Sequence, residues 1–285
     1  MRIFLTGATG YIGGALAHGL RERGHEVTAL VRPESDGKAL RDRGVTIVAG
    51  GLDSLSQLSD TLAGHDAFVH AAFAQSAGTV ALDRKTVEIL SAQNGFFVFT
   101  SGVWVLGNTK GRSADEVTPV NPIALVAWRP EHERIALKGG RAAVIRPGCA
   151  YGGKQSMMAA WFAAADQNRP LEIVGDGNNH WALVNLHDLA DCYARVIEQR
   201  ATGTFHAVDD SRSTLNECAR AIAPKGKLQH IPADVARQKM GAFADALLLD
   251  QTITSDATRR RLGWSPRRTF VNSIDEQWRE FRRQA

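Results

Sequence analysis

The feature that most restricts the folding of this chain is a glycine-rich turn placed between two different periodicities. An apolar run at residues 2–6 (RIFLT) is followed by Gly7, Gly10 and Gly13, while Ile12, Leu16, Gly19, Leu20 and Arg23 recur at helical intervals until Gly24. A strand that turns this sharply into a helix predicts the opening crossover of a parallel sheet. Further apolar runs stand at 26–31 (EVTALV), 45–50 (VTIVAG), 66–71 (DAFVHA), 96–100 (FFVFT) and 141–146 (RAAVIR). Their near-continuous apolarity fits strands covered on both faces. Ser54-x-x-Gln57, with Leu55, Leu58 and Leu62 behind it, predicts a capping box that starts another crossover helix. Alternation of this kind predicts an α/β protein built on a Rossmann-type, doubly wound parallel sheet.

The regular alternation ends at Arg146. Beyond it, 156–167 (SMMAAWFAAADQ) has helical character, 171–174 (LEIV) reads as a strand and 175–180 (GDGNNH) as a turn. Residues 181–198 read as a strand entering a helix near His187 or Asp188. With no repeat and no Gly/Ser linker, the second half is expected to pack on the first. The 285 residues divide into a sheet domain, 1–150 with returning segments near 181–208, and a smaller C-terminal domain, mainly 151–285. No apolar run is long enough to cross a bilayer, and the first ten residues read as strand and turn rather than signal peptide. Cys149, Cys192 and Cys218 have neither pairing economy nor metal spacing, so no metal is expected and a reducing cytoplasm is. The net charge of +4 is concentrated, because residues 259–285 carry eight Arg against three acidic residues. That pattern is a solvated helix surface rather than a nucleic-acid stripe, and neither nucleic acid nor membrane is expected as a partner.

Within the glycine turn each position has its own task. Gly7 permits the tight turn, Gly10 lets backbone approach a pyrophosphate, and Gly13 lets the helix pack closely on the sheet. The positive end of that helix then faces phosphate oxygens, so the loop is expected to hold a dinucleotide. The end of the second strand bears on which one. An NAD-selective site places Asp or Glu there, whereas this chain has Val31-Arg32-Pro33. A guanidinium matches a 2′-phosphate with parallel charge-assisted bonds, so NADP(H) is expected in preference to NAD(H). Asp53, just after the third strand, either faces the adenine or serves as a helix N-cap.

Six segments occur in a recognisable order: TGATGYIGG (6–14), VHAA (69–72), FVFTSGVWVLG (97–107), IRPGCAYG (145–152), VNLHDLAD (184–191) and RRLGWSP (260–266). Through them the chain resembles, over nearly its whole length, the extended, epimerase/dehydratase-like branch of the short-chain dehydrogenase/reductase superfamily. The resemblance implies cofactor contacts at Gly7, Thr9, Gly10, Tyr11, Ile12 and Gly13, at Ala71 and Ala72, and at Pro147. It also implies a Ser or Thr that hydrogen-bonds the substrate oxygen, and a Tyr-x-x-x-Lys whose Tyr moves the proton. The Lys of that pair lowers the Tyr pKa and holds the nicotinamide ribose.

The chain departs from that apparatus. Tyr11, Tyr151 and Tyr193 are followed four residues later by Ala15, Gln155 and Ile197, so no Tyr-x-x-x-Lys exists. Anchoring the family pattern on Glu133 sets Arg129 in the Lys place and Leu125 in the Tyr place. Counting back from Gly107, the usual Ser position falls on Gly102, just behind Thr100 and Ser101. The replacement candidates are therefore Arg129, as an oxyanion stabiliser or ribose holder, Ser101 or Thr100 as hydrogen-bond donors, and Tyr151 as proton donor. Against these stand structural readings: an Arg129–Glu133 ion pair, and hydroxyls that satisfy backbone groups at a strand end. His70, His132, His180 and His187 read as structural or solvent-facing.

Where nucleotide-sugar members carry an Arg after GDG, this chain has His180 or Trp181, which disfavours a diphosphate substrate. Trp104, Trp128, Trp161 and Trp181, with Phe162, would together line an apolar pocket for a small or aromatic carbonyl compound. The leading expectation is an oxidoreductase with a small-molecule substrate. The alternatives are a non-catalytic dinucleotide-binding regulator and a sugar epimerase or dehydratase. A homodimer is compatible with the sequence.

Overall fold

The apolar runs of the first half become strands of one parallel sheet. In this computed structural model, which describes residues 1–73 and 78–283, the order is β1 (Arg2–Thr6), α1 (Tyr11–Glu22), β2 (Glu26–Val31), α2 (Lys38–Arg41) and β3 (Thr46–Ala49). Next come α3 (Ser59–Ala63), β4 (Ala67–His70), α4 (Thr79–Ser91), β5 (Phe96–Thr100), β6 (Ser113–Ala114), α5 (Arg129–Leu137) and β7 (Ala142–Pro147). The second half continues with β8 (Cys149–Tyr151), α6 (Ala159–Asp166), β9 (Leu171–Val174), β10 (Leu183–Asn185), α7 (Leu186–Glu198) and β11 (Gly203–Ala207). It closes with α8 (Leu215–Ile222), β12 (Leu228–Ile231), α9 (Ala233–Met240), α10 (Phe243–Leu247), β13 (Thr252–Ile253), α11 (Asp256–Leu262) and α12 (Ile274–Arg283).

Seven parallel strands form the central sheet in the order β11-β7-β5-β4-β1-β2-β3, a Rossmann-type arrangement whose strand order reverses between β1 and β4. Side chains alternate between two cores. Ile3, Leu5, Phe96 and Val98 pack with Leu16 and Leu20 of α1 and Leu189 and Val196 of α7. Phe4, Phe97 and Phe99 pack on the other face with Val87 and Leu90 of α4 and Ala136 of α5. Each such side chain, fully buried, contributes about 1.5–3 kcal/mol, so both faces must be covered and the strands read as continuously apolar.

The second lobe has its own core around Tyr151, Trp161, Phe162, Trp181 and Phe270, with short parallel pairs β8–β10, β9–β12 and β6–β13. Trp264 of the last recognisable segment is fully buried and donates from Nε1 to the Asp188 carbonyl at 2.9 Å, fastening the C-terminal region to α7. The basic tail is laced by surface pairs such as Arg259–Asp210 and Arg268–Glu276. Among the described residues no helix is long and apolar enough to cross a membrane.

Two local expectations change. Residues Leu52–Gln57 form a 3-10 turn, and the Ser54 hydroxyl donates back to the Gly51 carbonyl at 2.8 Å, so the capping box at Ser54-x-x-Gln57 does not form. Ser54 lies inside the turn, where the nearest acceptor is three residues behind it. The capping box that does form is Thr214 with Glu217, at the start of α8. The helix expected near His187 begins at Leu186, because Asn185 caps it by accepting from the His187 N–H at 2.9 Å.

Candidate functional site

The glycine loop follows β1 at the point where strand order reverses. Gly7 has φ +82°, and a Cβ there would lie 2.6 Å from the Ala71 carbonyl carbon and the Ala72 nitrogen. The turn is thus pressed against the chain leaving β4. A Cβ at Gly13 would collide with the Gly7 carbonyl oxygen, so α1 docks on the loop only because that atom is missing. Gly10 is the N-cap of α1 and provides no side-chain cap, which leaves the first-turn N–H groups of a 12-residue helix for a ligand. Thr9 and Gly10 are exposed, and Ile12 packs on the core below. The Tyr11 hydroxyl donates to the Gly152 carbonyl at 2.6 Å and ties the loop to the second lobe. Burial, then the Glu280 carboxylate, hold the Tyr11 proton well above the usual phenol range. A cleft of about 790 Å³ opens beside Ala8, Thr9, Gly10 and Tyr11 and runs along α1 past Gly152 and His187.

Farther along the same edge, Arg32 leaves β2 with its side chain 68% exposed and its Nε 3.3 Å from Glu34. An exposed pair of this kind is weak, so the guanidinium remains available to an incoming anion. Asp53 is exposed on the 3-10 turn after β3.

At the end of β5 the two-residue period separates Thr100 from Ser101. Thr100 continues the face of Phe96 and Val98, and its Oγ1 accepts from the Tyr193 hydroxyl at 2.8 Å. Ser101 follows the strand directly, and its Oγ is buried with no hydrogen-bond partner among the described residues. Leaving such a hydroxyl unbonded costs about 1–3 kcal/mol, a bias towards any rotamer or ligand that satisfies it. Tyr193 was not singled out by the sequence beyond its lack of a following Lys. Its signal is the buried stripe Leu189, Tyr193, Val196 and Ile197 on α7.

Arg129, the first residue of α5, donates from Nη1 to the Thr100 carbonyl at 2.9 Å. Its guanidinium lies 4.5 Å from the Trp128 ring centroid and 5.6 Å from that of Phe73, and Phe73 and Trp128 stack on each other. The Arg129–Glu133 ion pair is not formed. Glu133 faces β7 instead, where Arg146 engages both of its oxygens, Nε at 3.0 Å and Nη2 at 2.6 Å. Arg129 has no ion pair among the described residues; burial lowers its proton affinity, and the charges of Asp83 and Glu133 work the other way.

Below it lies a buried polar network. Asp83 of α4 contacts His132 Nδ1 at 2.6 Å and His70 Nε2 at 3.1 Å, and His70 Nδ1 reaches Thr6 Oγ1 at 2.7 Å. Burial pushes the Asp83 carboxyl up, but the bonds from His132 and His70 outweigh it and hold the group down at about 2. Two histidines read as structural thus meet on one carboxylate.

Tyr151, a proton-donor candidate in the sequence, is enclosed in the second core. It is 0% exposed, its hydroxyl donates to Asp209 at 3.0 Å, and its ring packs edge-on against Phe270 inside the second lobe. Burial, then the Asp209 carboxylate, raise its proton affinity far beyond the usual phenol range. The four tryptophans do not share one pocket. Trp161 and Trp181 stack at 6.2 Å within the second core, with their indole N–H groups on the Glu172 and Leu247 carbonyls. Trp104 is half-buried, edge-to-face with Phe243, while Trp128 stands beside Arg129 with Phe73. Gly102 has extended backbone, and a Cβ there would meet nothing nearer than the Pro147 carbonyl oxygen at 4.0 Å. Leu125, expected in the family's Tyr place, is exposed on the 3-10 turn Ala124–Val126, and His180 is engaged by Asp250 at 2.9 Å.

Comparison with known proteins gives three kinds of likeness. Residues 3–208 match the NAD dependent epimerase/dehydratase family. An uncharacterized protein of Schizosaccharomyces pombe is 30% identical, over 93% of this chain and 95% of its own. The 3-diazoavenalumate denitrifying reductase of a Streptomyces species is 29% identical, over 93% of this chain and 96% of its own. Among solved structures, a human epimerase family protein with NADPH superposes with a TM-score of 0.81 at 20% identity, covering 99% of this chain and 100% of that one, which is a likeness of fold.

Proposed function

This chain belongs to the NAD dependent epimerase/dehydratase family, and on that basis we propose that it is an NADP(H)-dependent oxidoreductase acting on a small, non-nucleotide carbonyl or alcohol compound. The observation that carries the reading is the Arg129 guanidinium seated on the Thr100 carbonyl, at the carboxyl end of β5 in the family's Lys place. The first turn of α1, uncapped by any side chain, fits a pyrophosphate, and Arg32 fits a 2′-phosphate. When bound, the dinucleotide supplies or accepts the hydride. Arg129 stabilises negative charge developing on the substrate oxygen, and the Ser101 hydroxyl turns from its enclosed rotamer to donate a hydrogen bond. The Thr100 hydroxyl accepts from Tyr193 and keeps its own O–H, so the proton comes through Ser101, Thr100 or water beside Arg129. That the Streptomyces relative is a reductase supports hydride transfer over epimerisation. The turn after GDG carries neither Arg nor Lys for a diphosphate, and His180 there is engaged by Asp250. The three cysteines are free and buried, which suits a reducing cytoplasm.

The test is a panel of carbonyl compounds with NADPH, followed by loss of reduced-nicotinamide absorbance. Ser101→Ala and Arg129→Ala are each expected to lower turnover about 100-fold or more with little change in cofactor binding. Arg32→Ala is expected to weaken NADPH far more than NADH; equal weakening refutes the 2′-phosphate assignment. A second reading, a non-catalytic dinucleotide-binding regulator, is favoured by Leu125 in the Tyr place. Tight cofactor binding without turnover across the panel would decide for it.

A further inference from the structure

Arg129 is the group whose surroundings the proposed chemistry leaves unexplained. A guanidinium carries five N–H donors, and among the described residues only one of them has a protein acceptor, the Thr100 carbonyl. The side chain is half-buried, and desolvation already lowers its affinity for its proton. Two acids lie within electrostatic reach, and neither can turn to it. Asp83 has one oxygen on His70 and the other on His132; Glu133 has both on Arg146. A desolvated cation whose near carboxylates are all engaged elsewhere has an open demand for an anion. The guanidinium also lies against the rings of Trp128 and Phe73, and Phe73 is 52% exposed where the chain leaves β4. A ligand that reaches Arg129 therefore passes a pair of flat aromatic faces.

We infer that the substrate of this site is an anion, a planar carbonyl compound with a carboxylate close to the carbonyl, as in an aryl 2-oxo acid. The inference rests on the oxidoreductase reading for the reaction and adds the substrate class. The free N–H groups of Arg129 span one carboxylate oxygen and the neighbouring keto oxygen, so the contact that selects the acid also polarises the bond to be reduced. The aromatic ring of such a substrate lies along Trp128 and Phe73. In the reduction, hydride adds to the keto carbon, the C=O π pair moves to oxygen, and that oxygen takes one proton from Ser101, Thr100 or water. The product is the 2-hydroxy acid and the oxidised dinucleotide.

The test compares benzoylformate with its methyl ester, with NADPH, in the parent chain and in Arg129→Gln and Arg129→Lys. The parent is expected to favour the acid by about 100-fold in kcat/KM, with that advantage shrinking as salt rises. Arg129→Gln removes the preference, and Arg129→Lys restores part of it. A parent that reduces the ester as well as the acid, or a preference that survives Arg129→Gln, overturns the substrate class and leaves the oxidoreductase reading standing. A binding measurement decides the matter without turnover: benzoate against benzamide, titrated calorimetrically into the protein with NADP+. Benzoate binding that is lost in Arg129→Gln, with benzamide not bound, supports the anion site even if no carbonyl compound is reduced. Absent or equal binding of the two overturns it.

Discussion

Replacing Glu133 by Gln should be the most damaging single change on α5, and the reason lies in Arg146. The two side chains are 5% and 6% exposed, their two hydrogen bonds are 3.0 and 2.6 Å, and Arg146 Nη1 already has no partner. Glu133→Gln removes the only carboxylate that the described residues place on that guanidinium and leaves a buried charge uncompensated. Breaking a buried pair from one side costs about 3–5 kcal/mol, whereas exchanging both members for apolar groups of similar volume is close to neutral. At about 2–4 °C per kcal/mol for a chain somewhat shorter than this one, the single variant should melt roughly 10 °C lower. Arg146→Met combined with Glu133→Gln should recover part of that loss, the buried Gln amide keeping about 1–3 kcal/mol of it. Urea unfolding of the four proteins in this cycle yields the coupling energy directly. A second cycle pairs Glu133→Gln with Arg129→Gln. Their coupling should be smaller than that of Glu133 with Arg146, since the two side chains share no bond and only the Glu133 charge reaches Arg129. A loss below about 1 kcal/mol for Glu133→Gln, or a larger coupling to Arg129 than to Arg146, would refute this account of α5.

Gly13→Ala should abolish NADPH binding or folding, since its Cβ falls on the Gly7 carbonyl, whereas Gly14→Ala, with its nearest neighbour at 3.4 Å, should fold with an unchanged or higher Tm. A Gly13→Ala protein that binds NADPH like the parent would show that the close packing is absent. Burial raises the Asp209 carboxyl to about 6, so its share of stability is present below about pH 4 and is lost as pH rises through about 6. Asp209→Asn should therefore gain on the parent by on the order of 2 kcal/mol between pH 4 and pH 7.5, and parallel stability profiles would contradict the assignment. Asp83 has the opposite sign: held at about 2, it stabilises above about pH 4 and loses that effect as pH falls towards 2, so Asp83→Asn should flatten the acid limb of unfolding. Cys149 and Cys218, their thiols pushed up to about 12 by burial, together with Cys192, should resist Ellman's reagent in the native protein and react at once in urea. Reaction of any one before unfolding would show an opening that the packing does not contain.

The sequence by itself determined what short-range periodicity can carry. A strand covered on both faces must be apolar at every position, and a crossover helix must repeat its apolar residues every third or fourth place. RIFLT, FFVFT and the Leu16–Leu20 stripe therefore announced the parallel sheet without reference to any partner. The glycine turn was legible for the same reason: Gly7 answers to its own φ, and Gly13 to a carbonyl six residues away. The tertiary structure alone decided which polar groups meet. Tyr193 reaches Thr100 across 93 residues, Asp83 is shared by His132 and His70, and Glu133 turns to Arg146 rather than to Arg129 one helical turn before it. Thr100 and Ser101 were equivalent in the sequence; the fold places one hydroxyl on Tyr193 and encloses the other with no partner among the described residues. Tyr151 and the tryptophans followed the same rule, since what an aromatic side chain faces depends on how the second lobe folds over it. Helical and strand periods repeat within a few residues, while the partner of a buried charge is chosen by the packing of elements far apart in the chain.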